Sequence, residues 1–263
     1  MQQVWQNLKK PIRNSLKYTT ALVKGYPFHY ANQQEPNSLD RYSHKWTEFT
    51  TSIPDRGTSE IRANRIWNLK LAAKRIHCLN LNPQKIFSFS DRIGNPTKSK
   101  GFREAPVFVN GQVLVDAGGG LCLIATNIFN TLLHGGCEIL ERHCHSIDAY
   151  GESRFYTLGQ DAAVAYGYKD LIIRNHSYIP LQLRFQILEQ EGKIQSSLWG
   201  TIPNPYLIRV ESQVIEQIKH PNPQYLSGWI AKTSRYVKKE IDQLSPWKCD
   251  YEAISLYQPC AKS

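Results

Sequence analysis

Three consecutive glycines, Gly118–Gly120, lead almost directly into a cysteine, Cys122. The residues that follow, Leu123 to Leu133, have apolar side chains at helical spacing, so Cys122 should lie in the first turn of a helix. The positive end of a helix favours the thiolate, which is the form of cysteine that attacks electrophiles. Unpaired backbone N–H groups at such a turn can also hold a carboxylate or an oxyanion. The pattern predicts a nucleophile at Cys122, and a tight turn without a chemical role is the alternative.

Acyl transfer by a thiolate needs a group that moves protons, usually a histidine held by a carboxylate. His143 and His145 are the candidates for this group, with Asp161 or Asp148 as the partner. If residues 138–145 form a strand, side chains two apart point to the same face, so both histidines would reach one cleft. A buried histidine with a purely structural role is the other interpretation of each.

The same part of the chain contains soft metal ligands. They are Cys122, Cys137, His143, Cys144 and His145. No CxxC or HxxxH spacing accompanies them, and adjacent residues cannot readily converge on one ion from a strand. A zinc-stabilised module is therefore the weaker hypothesis, and the sequence predicts no metal ligands and no cofactor. The glycines do not form a phosphate-binding loop, because no Gly-Lys-Ser/Thr follows them.

The composition describes a folded and strongly basic chain. It has 263 residues, of which 41% are hydrophobic, and a formal net charge of +10. This charge suits contact with an anionic polymer, an anionic membrane surface or nucleic acid, although no nucleic-acid-binding motif is present. Six cysteines are too few for a small disulfide-stapled secreted scaffold. Because no apolar stretch resembles a signal peptide or a membrane span, the sequence predicts a cytoplasmic protein, with peripheral membrane contact as an alternative.

Helical and strand patterns along the chain favour an α+β fold, in which helices are followed by a mainly antiparallel sheet. Ser59 is the predicted N-cap of a first helix, whose apolar residues continue to Ile76 and which should stop at Asn80-Leu81-Asn82-Pro83. Asn110-Gly111 predicts a type I′ turn in a hairpin that delivers the chain to the glycines. The helix after the glycines should be buried on one side. Strands are predicted at 86–90, 107–109, 112–115, 138–145, 162–165, 171–174, 181–187 and 193–199, and the pattern of 229–243 fits either helix or strand.

A series of short motifs occurs in a fixed order along the chain. They are Phe87-Ser88-Phe89-Ser90, Ile93-Gly94, Gly101-Phe102, Gly118-Gly119-Gly120-Leu121-Cys122, Glu141-Arg142-His143-Cys144-His145-Ser146, Gly159-Gln160-Asp161-Ala162-Ala163-Val164, and Lys169-Asp170-Leu171 with Asn175. Together they resemble the VanW domain from about Arg62 to Gly200, and their joint order is far more specific than any one motif. This family is bacterial and is associated with glycopeptide (vancomycin) resistance clusters and the cell wall.

The resemblance implies a chemistry, because some VanW domains are reported to act as L,D-transpeptidases with the motif cysteine as nucleophile. Cys122 would then attack a carbonyl of a peptidoglycan stem peptide, and an amine or water would resolve the thioester. His143 or His145 would move protons, with Asp161 beside them. The implied substrate-binding residues are Gly118, Gly119, Gly120, Arg142 and Asp170. The chain departs from the family where glutamine usually follows the cysteine, since Leu123 stands there.

The predicted organisation has three parts: a basic N-terminal segment (1–58), a VanW-like core domain (59–202) and a C-terminal extension (203–263) packed on the core. The expected function is cysteine-dependent acyl transfer, or hydrolysis, of peptidoglycan-type stem peptides. The expected partner is therefore a peptidoglycan precursor or stem peptide. The alternative is a non-catalytic protein, linked to glycopeptide resistance, that binds cell-wall fragments or anionic partners.

Overall fold

The computed structural model describes residues 14–38, 40–109, 112–240 and 245–261. The α-helices within these ranges are α1 over 14–23, α2 at Ser59–Ile76, α3 at Phe89–Ile93 and α4 at Leu121–His134. The N-cap of α2 is Thr58, one residue before the predicted Ser59, and its hydroxyl oxygen accepts a hydrogen bond from the Ile61 N–H. None of the described helices is both long and apolar enough to cross a membrane.

The strands form several small antiparallel sheets, so the α+β prediction is confirmed. The strands are β1 His44–Ser52, β2 Leu79–Leu81, β3 Ile86–Ser88, β4 Glu104–Val109, β5 Gln112–Ala117, β6 Glu138–Glu141, β7 Ile172–Arg174, β8 Leu181–Leu188, β9 Lys193–Gly200, β10 Tyr206–Ile218, β11 Tyr225–Leu226, β12 Gly228–Lys239, β13 Lys248–Tyr257 and β14 Cys260–Ala261. Their orders are β1-β9-β8-β2, β3-β7-β6, β10-β12-β13, and the pairs β4-β5 and β11-β14.

The helix α4 is the centre of the hydrophobic core. Every residue from Leu123 to Leu133 is buried, and α4 contacts α2, β1, β9 and β10. Its polar residues are buried with partners: the Asn127 amide donates to Thr51 Oγ1 at 2.8 Å and accepts from Ser196 Oγ at 2.6 Å. The prediction that this helix is buried on one side is therefore wrong, because its polar face is also covered, and among the described residues its buried polar side chains form hydrogen bonds except at Asn130 Oδ1.

The predicted strand at 138–145 is shorter in the structure, because β6 ends at Glu141. Hydrogen bonds outside any sheet hold the next residues: the His145 N–H donates to Asp161 Oδ2 at 2.7 Å, and the His143 carbonyl accepts from the Ala163 N–H at 2.8 Å. Residues 162–165, also predicted as a strand, lie alongside without forming one. Strand periodicity therefore does not govern where the two histidines point.

Other sequence predictions have clear outcomes. The undecided segment 229–243 is a strand over most of its length, since β12 covers Gly228–Lys239. The predicted hairpin is present, with β4 and β5 paired antiparallel, but its Asn110-Gly111 turn lies outside the described residues.

The sheet β10-β12-β13 packs against the C-terminal end of α4 through Arg235, whose side chain is almost fully buried. Its guanidinium donates to the carbonyls of Leu133 (3.0 Å) and Cys137 (2.7 Å). It also forms two parallel hydrogen bonds with Asp250, at 2.8 and 2.9 Å. Helix C-termini favour a cation at this position, so Arg235 joins the C-terminal sheet to the central helix.

Candidate active site

The turn between β5 and α4 is so closely packed that it needs its glycines, as Gly119 and Gly120 illustrate. A Cβ on Gly119 would lie 2.5 Å from the backbone carbonyl carbon of Ala105. Gly120 has a φ of 101°, which residues with a Cβ rarely adopt. Asn68, buried on α2, donates to the Gly119 carbonyl at 3.0 Å and accepts from the Arg103 N–H at 2.8 Å. The glycine turn is thereby fixed against α2.

Cys122 is the second residue of α4 and meets the 161–165 segment. The Val164 N–H donates to Cys122 Sγ at 3.5 Å, and Sγ lies 3.6 Å from the Val164 carbonyl oxygen. The imidazole of His145 forms a hydrogen bond with the same sulfur. Cys122 is half-buried, whereas the residues of α4 on either side are buried. The sulfur is therefore placed at the surface of the core.

His145 connects Cys122 to Asp161. Its Nδ1 atom lies 2.6 Å from Asp161 Oδ2, the oxygen that also accepts the His145 N–H. The ring stacks on Tyr156, with 6.0 Å between ring centroids and 17° between ring planes. These contacts fix the plane of the imidazole and leave its other nitrogen for the sulfur of Cys122.

Asp161 is fully buried, and both oxygens of its carboxylate accept hydrogen bonds. Oδ1 accepts from Arg142 Nη2 at 2.7 Å and from the Tyr257 hydroxyl at 2.5 Å. Arg142 also donates to the carbonyl oxygens of Asp161 (2.6 Å) and Gly159 (2.9 Å). The Tyr257 hydroxyl accepts from the Gly159 N–H at 2.8 Å. Arg142 and Tyr257 thus orient Asp161 toward His145.

The charges of the three residues control their protonation. Burial alone would raise the pKa of the Cys122 thiol, but the hydrogen bond and charge of His145 outweigh it, and the pKa is lowered. Burial opposes the charged form of His145 as well, yet its hydrogen bonds to Asp161 and Cys122 raise its pKa to about 10. Against burial, the His145 hydrogen bond and the Arg142 charge lower the pKa of Asp161 to about 2. The arrangement favours a thiolate–imidazolium pair beside an ionised carboxylate at neutral pH.

An aromatic cluster borders the thiol. The pKa of Tyr150 is raised to about 12, first by burial and next by the negative charge of Cys122, so the phenol lies near the sulfur. The Tyr150 ring packs edge-on against Phe155 and Tyr156, at centroid distances of 5.0 and 6.4 Å. These side chains form an apolar wall on one side of the site.

Asp148, the alternative carboxylate partner for a histidine, belongs to the loop that carries these aromatic residues. Its Oδ2 accepts from Arg154 Nε at 3.0 Å and from Arg154 Nη2 at 2.8 Å. Its Oδ1 accepts from the N–H groups of Tyr150 and Gly151. Asp148 therefore fixes the loop, and the carboxylate beside His145 is that of Asp161.

The structure brings Cys122, His145 and Asp161 together and gives His143 a different partner. The Nε2 atom of His143 lies 2.9 Å from Glu141 Oε1. Both side chains line a cavity of about 450 Å³ beside β6, together with Lys169. This geometry favours His145 over His143 as the group that would transfer protons.

Among the predicted substrate-binding residues, the three glycines lie beside Cys122, whereas the side chains of Arg142 and Asp170 are buried. Arg142 also donates to Ser255 Oγ at 2.7 Å, in addition to its contacts with Asp161. Asp170 accepts from Ser88 Oγ at 2.7 Å and from the Ser90 N–H at 2.8 Å. Substrate binding by Arg142 or Asp170 stays a prediction, and their contacts favour a role in positioning the surrounding loops.

Metal binding has no support from the described part of the chain, in which no three His, Cys, Asp or Glu side chains are grouped to hold an ion. Cys137 is buried away from solvent, and burial raises its pKa to about 12 despite the charge of Arg235. Cys144 Sγ lies 3.8 Å from the Leu256 carbonyl oxygen.

Three residues that contribute to the site were not predicted from the sequence. They are Asn68, Tyr150 and Tyr257. Asn68 lies on α2, and an asparagine in the middle of a helix, where it is a poor helix former, was a usable signal. Tyr150 and Tyr257 have no local signal, since Tyr257 meets Asp161 from 96 positions along the chain.

Two curated bacterial proteins are similar to part of this chain. "Uncharacterized protein YoaR" of Bacillus subtilis is 31% identical over 121 residues, which cover 46% of this chain and 39% of that protein. "Vancomycin B-type resistance protein VanW" of Enterococcus faecalis is 30% identical over 121 residues, which cover 46% of this chain and 44% of that protein. The similarity thus spans less than half the length of each relative. No solved structure matches the chain.

The family described as "VanW like protein" matches residues 64–199, just over half of the chain. The matched range includes Cys122, His145 and Asp161, and it ends before the strand that carries Tyr257. A match of this extent agrees with the resemblance carried by the sequence motifs. The chain belongs to the VanW-like family.

Proposed function

We propose that this protein is a cysteine-dependent acyl transferase or hydrolase that acts on peptidoglycan-type stem peptides. The observation that carries the proposal is the row Cys122, His145, Asp161, in which a half-buried thiol meets an imidazole held by a buried carboxylate. Nucleophile, base and orienting group in hydrogen-bond contact are the signature of nucleophilic acyl transfer.

The reaction follows from the protonation states. The thiolate of Cys122 attacks the carbonyl carbon of the substrate amide, and the C=O electron pair moves onto oxygen. The imidazolium of His145 gives its proton to the amide nitrogen, the C–N bond breaks, and a thioester remains on Cys122. An amine or water then attacks the thioester and passes its proton to neutral His145, the C–S bond breaks, and the thiolate–imidazolium pair returns. Asp161 stays ionised throughout and keeps the imidazole oriented.

The backbone at the start of α4 can stabilise the oxyanion. The N–H groups of Leu121 and Leu123 donate to the carbonyls of Gly118 (3.3 Å) and Gly120 (3.0 Å). The described residues provide no acceptor for the Cys122 N–H. This N–H adjoins the attacking sulfur at the positive end of the helix, and it is the candidate oxyanion donor.

The substrate class is proposed from the family. One relative carries a vancomycin-resistance name, and vancomycin-type antibiotics act on cell-wall peptides, so peptidoglycan stem peptides are the first substrates to test. The net charge of +10 supports contact with an anionic cell-wall polymer or membrane surface.

The test is incubation of the purified protein with a stem tetrapeptide that contains diaminopimelate, with mass spectrometry of released amino acid and of protein-bound acyl groups. The wild type should release the terminal residue and carry a transient thioester at Cys122. Cys122→Ala should do neither, whereas Cys144→Ala, which removes another half-buried thiol, should behave as the wild type. Equal turnover by Cys122→Ala contradicts the proposal.

A second candidate is a protein that binds cell-wall fragments without catalysis. It is favoured by the exposed aromatic side chains of Tyr166 and Tyr168 next to Lys169, on a basic molecule. If this second function is correct, the Cys122→Ala protein should bind cell-wall fragments as tightly as the wild type. Neither protein should turn the fragments over.

A further inference from the structure

The buried side chain of Arg65, on α2, has an uncompensated positive charge. It is 9% exposed, and its guanidinium donates to the backbone carbonyls of Pro54 and Arg56. No carboxylate of the described residues lies within ion-pair distance of Arg65. The carboxylate of Asp55, which acts on it from further away, is paired with Arg62 at 3.2 Å. A buried cation without a counter-ion is costly, so a chain that keeps one usually has a use for it.

A second arginine, Arg56, lies on the same side of the site. Its guanidinium carbon is 5.0 Å from the centroid of the Tyr150 ring, and it donates to Ser153 Oγ. Arg56 is exposed and also lacks a carboxylate within ion-pair distance among the described residues. That loop carries two carboxylates among the described residues: Asp148 is engaged by Arg154 at 2.8 Å, and Glu152 is not within ion-pair distance of Arg56 or Arg65.

Both arginines lie around the mouth of the Cys122 site. Arg65 Cγ is 3.0 Å from where a Cβ on Gly120 would stand, and Gly120 immediately precedes α4. Tyr150 links both arginines to the site, because its ring contacts Arg56 and its phenol lies within reach of the charges of Cys122 and Arg65. Two cations without counter-ions beside a nucleophile create a positive potential where the substrate must enter.

We propose that Arg56 and Arg65 form a carboxylate-binding subsite beside Cys122, which takes a free carboxylate of the acyl donor close to the bond that is attacked. Arg56 supplies the direct, charge-assisted hydrogen bonds, and Arg65 supplies charge from the wall of the site. In a peptide that loses its last residue as an amino acid, the carboxylate close to the attacked bond is the C-terminal carboxylate of that residue. The proposal deepens the proposed function and rests on it for the identity of the donor.

The subsite can be tested without a substrate by comparing two alkylating agents of similar size, iodoacetate and iodoacetamide, which differ in the carboxylate. Rate constants at Cys122 are measured at neutral pH and low salt, with the labelled residue mapped by mass spectrometry. We expect the ratio of the iodoacetate rate constant to the iodoacetamide rate constant to fall about tenfold in Arg56→Gln. This is the effect of losing about one charge-assisted hydrogen bond. Arg65→Gln should lower the same ratio.

The control is Lys70→Gln, which removes one positive charge from an exposed position of α2 that pairs with Glu189. It should leave the ratio unchanged. If the ratio is the same in Arg56→Gln and wild type, the proposed subsite is wrong, and the assignment of Cys122 as the nucleophile is unaffected. Failure of the proposed function is a separate result, namely that iodoacetamide labels Cys122 no faster than Cys144.

Discussion

At the scale of single residues, charge alternates in sign along a row that ends at the sulfur. The guanidinium of Arg142 faces the carboxylate of Asp161, which faces the imidazolium of His145, which faces the thiolate of Cys122. Each member stabilises the charged form of the next, and burial strengthens these interactions because little water screens them. Loss of the imidazolium should therefore raise the pKa of the Cys122 thiol.

The first prediction concerns the pH dependence of Cys122 reactivity. The thiolate–imidazolium pair exists above the lowered pKa of Cys122 and below the pKa of His145, which is about 10. Between pH 9 and pH 6, alkylation of Cys122 by iodoacetamide should therefore slow less than that of an ordinary thiol, because the lowered pKa keeps a larger fraction of Cys122 ionised. His145→Asn removes the hydrogen bond and the charge that chiefly oppose burial, so the pKa of Cys122 rises, and the rate at pH 6 should fall by about tenfold for each unit of that rise.

The matched control for this prediction is His143→Asn, because His143 bonds to Glu141 and not to the sulfur. Its rate profile should follow the wild type. A profile that moves equally in both variants would count against the assignment of His145.

The second prediction concerns Tyr257, whose hydroxyl bonds both Asp161 and the Gly159 N–H. Tyr257→Phe leaves a buried N–H unpaired, so the free energy of unfolding should fall by roughly 1–3 kcal/mol in urea titrations. Tyr178→Phe, at a position where the side chain is exposed, is the control and should change stability by less than about 0.5 kcal/mol, as expected of a surface substitution. A loss no larger than the control would mean that the hydroxyl does not hold the Asp161 loop.

At the scale of elements, the glycine turn depends on α2 as much as on its own sequence. The Asn68 side chain spans from α2 to Arg103 and Gly119, so helix and turn form one unit. The cysteine is thus placed by three elements, α2, the turn and α4. Precise placement by packed elements is what a nucleophile needs.

The third prediction tests this unit. Asn68→Ala removes three hydrogen bonds to buried or half-buried backbone groups and should lower the free energy of unfolding by roughly 2–4 kcal/mol, which urea titration measures. Asn64→Ala, one turn earlier on α2, removes one exposed bond to the Glu104 carbonyl and should cost less than about 1 kcal/mol. Similar losses in both variants would show that Asn68 is an ordinary helix residue.

Local patterns predicted the elements that carry the cysteine. The spacing of apolar residues located α4 and the start of α2 to within two residues, although α2 ends at Ile76, before the predicted stop at Asn80. The alternating residues of 181–187 and 193–199 located β8 and β9. Segment 142–145 was mispredicted as a strand, because its conformation is set by Asp161, which no local pattern reports. The same long-range contact selects His145 over His143.

At the scale of the whole molecule, the C-terminal sheet takes part in the site. Its strand β13 provides Tyr257 for Asp161 and Ser255 for Arg142, and both lie beyond residue 199, where the family match ends. The sequence predicted Cys122 with His143 or His145 and Asp161 or Asp148 as candidates, and it could not predict Tyr257 and Ser255 as their partners. Contacts of this kind arise only when distant strands pack together.

The fourth prediction concerns the joint between this sheet and α4. Arg235→Ala leaves the carbonyls of Leu133 and Cys137 and the carboxylate of Asp250 without their partner, and should cost roughly 3 kcal/mol of unfolding free energy. Arg209→Ala, which breaks an exposed pair with Glu211, should cost less than about 1 kcal/mol. Thermal unfolding of the two variants measures the difference in their stability. Equal unfolding midpoints would show that Arg235 does not join the C-terminal sheet to α4.

The enclosure of α4 limits how the molecule can respond to a ligand. A helix surrounded on every side cannot pivot or slide without unfolding its surroundings, so the sulfur at its first turn is held in one place. Any adjustment on binding must come from the loop that bears Tyr150 and from arginine side chains at the entrance. The backbone amides of α4 should accordingly exchange their hydrogens with solvent only through global opening, at the slowest rate in the chain.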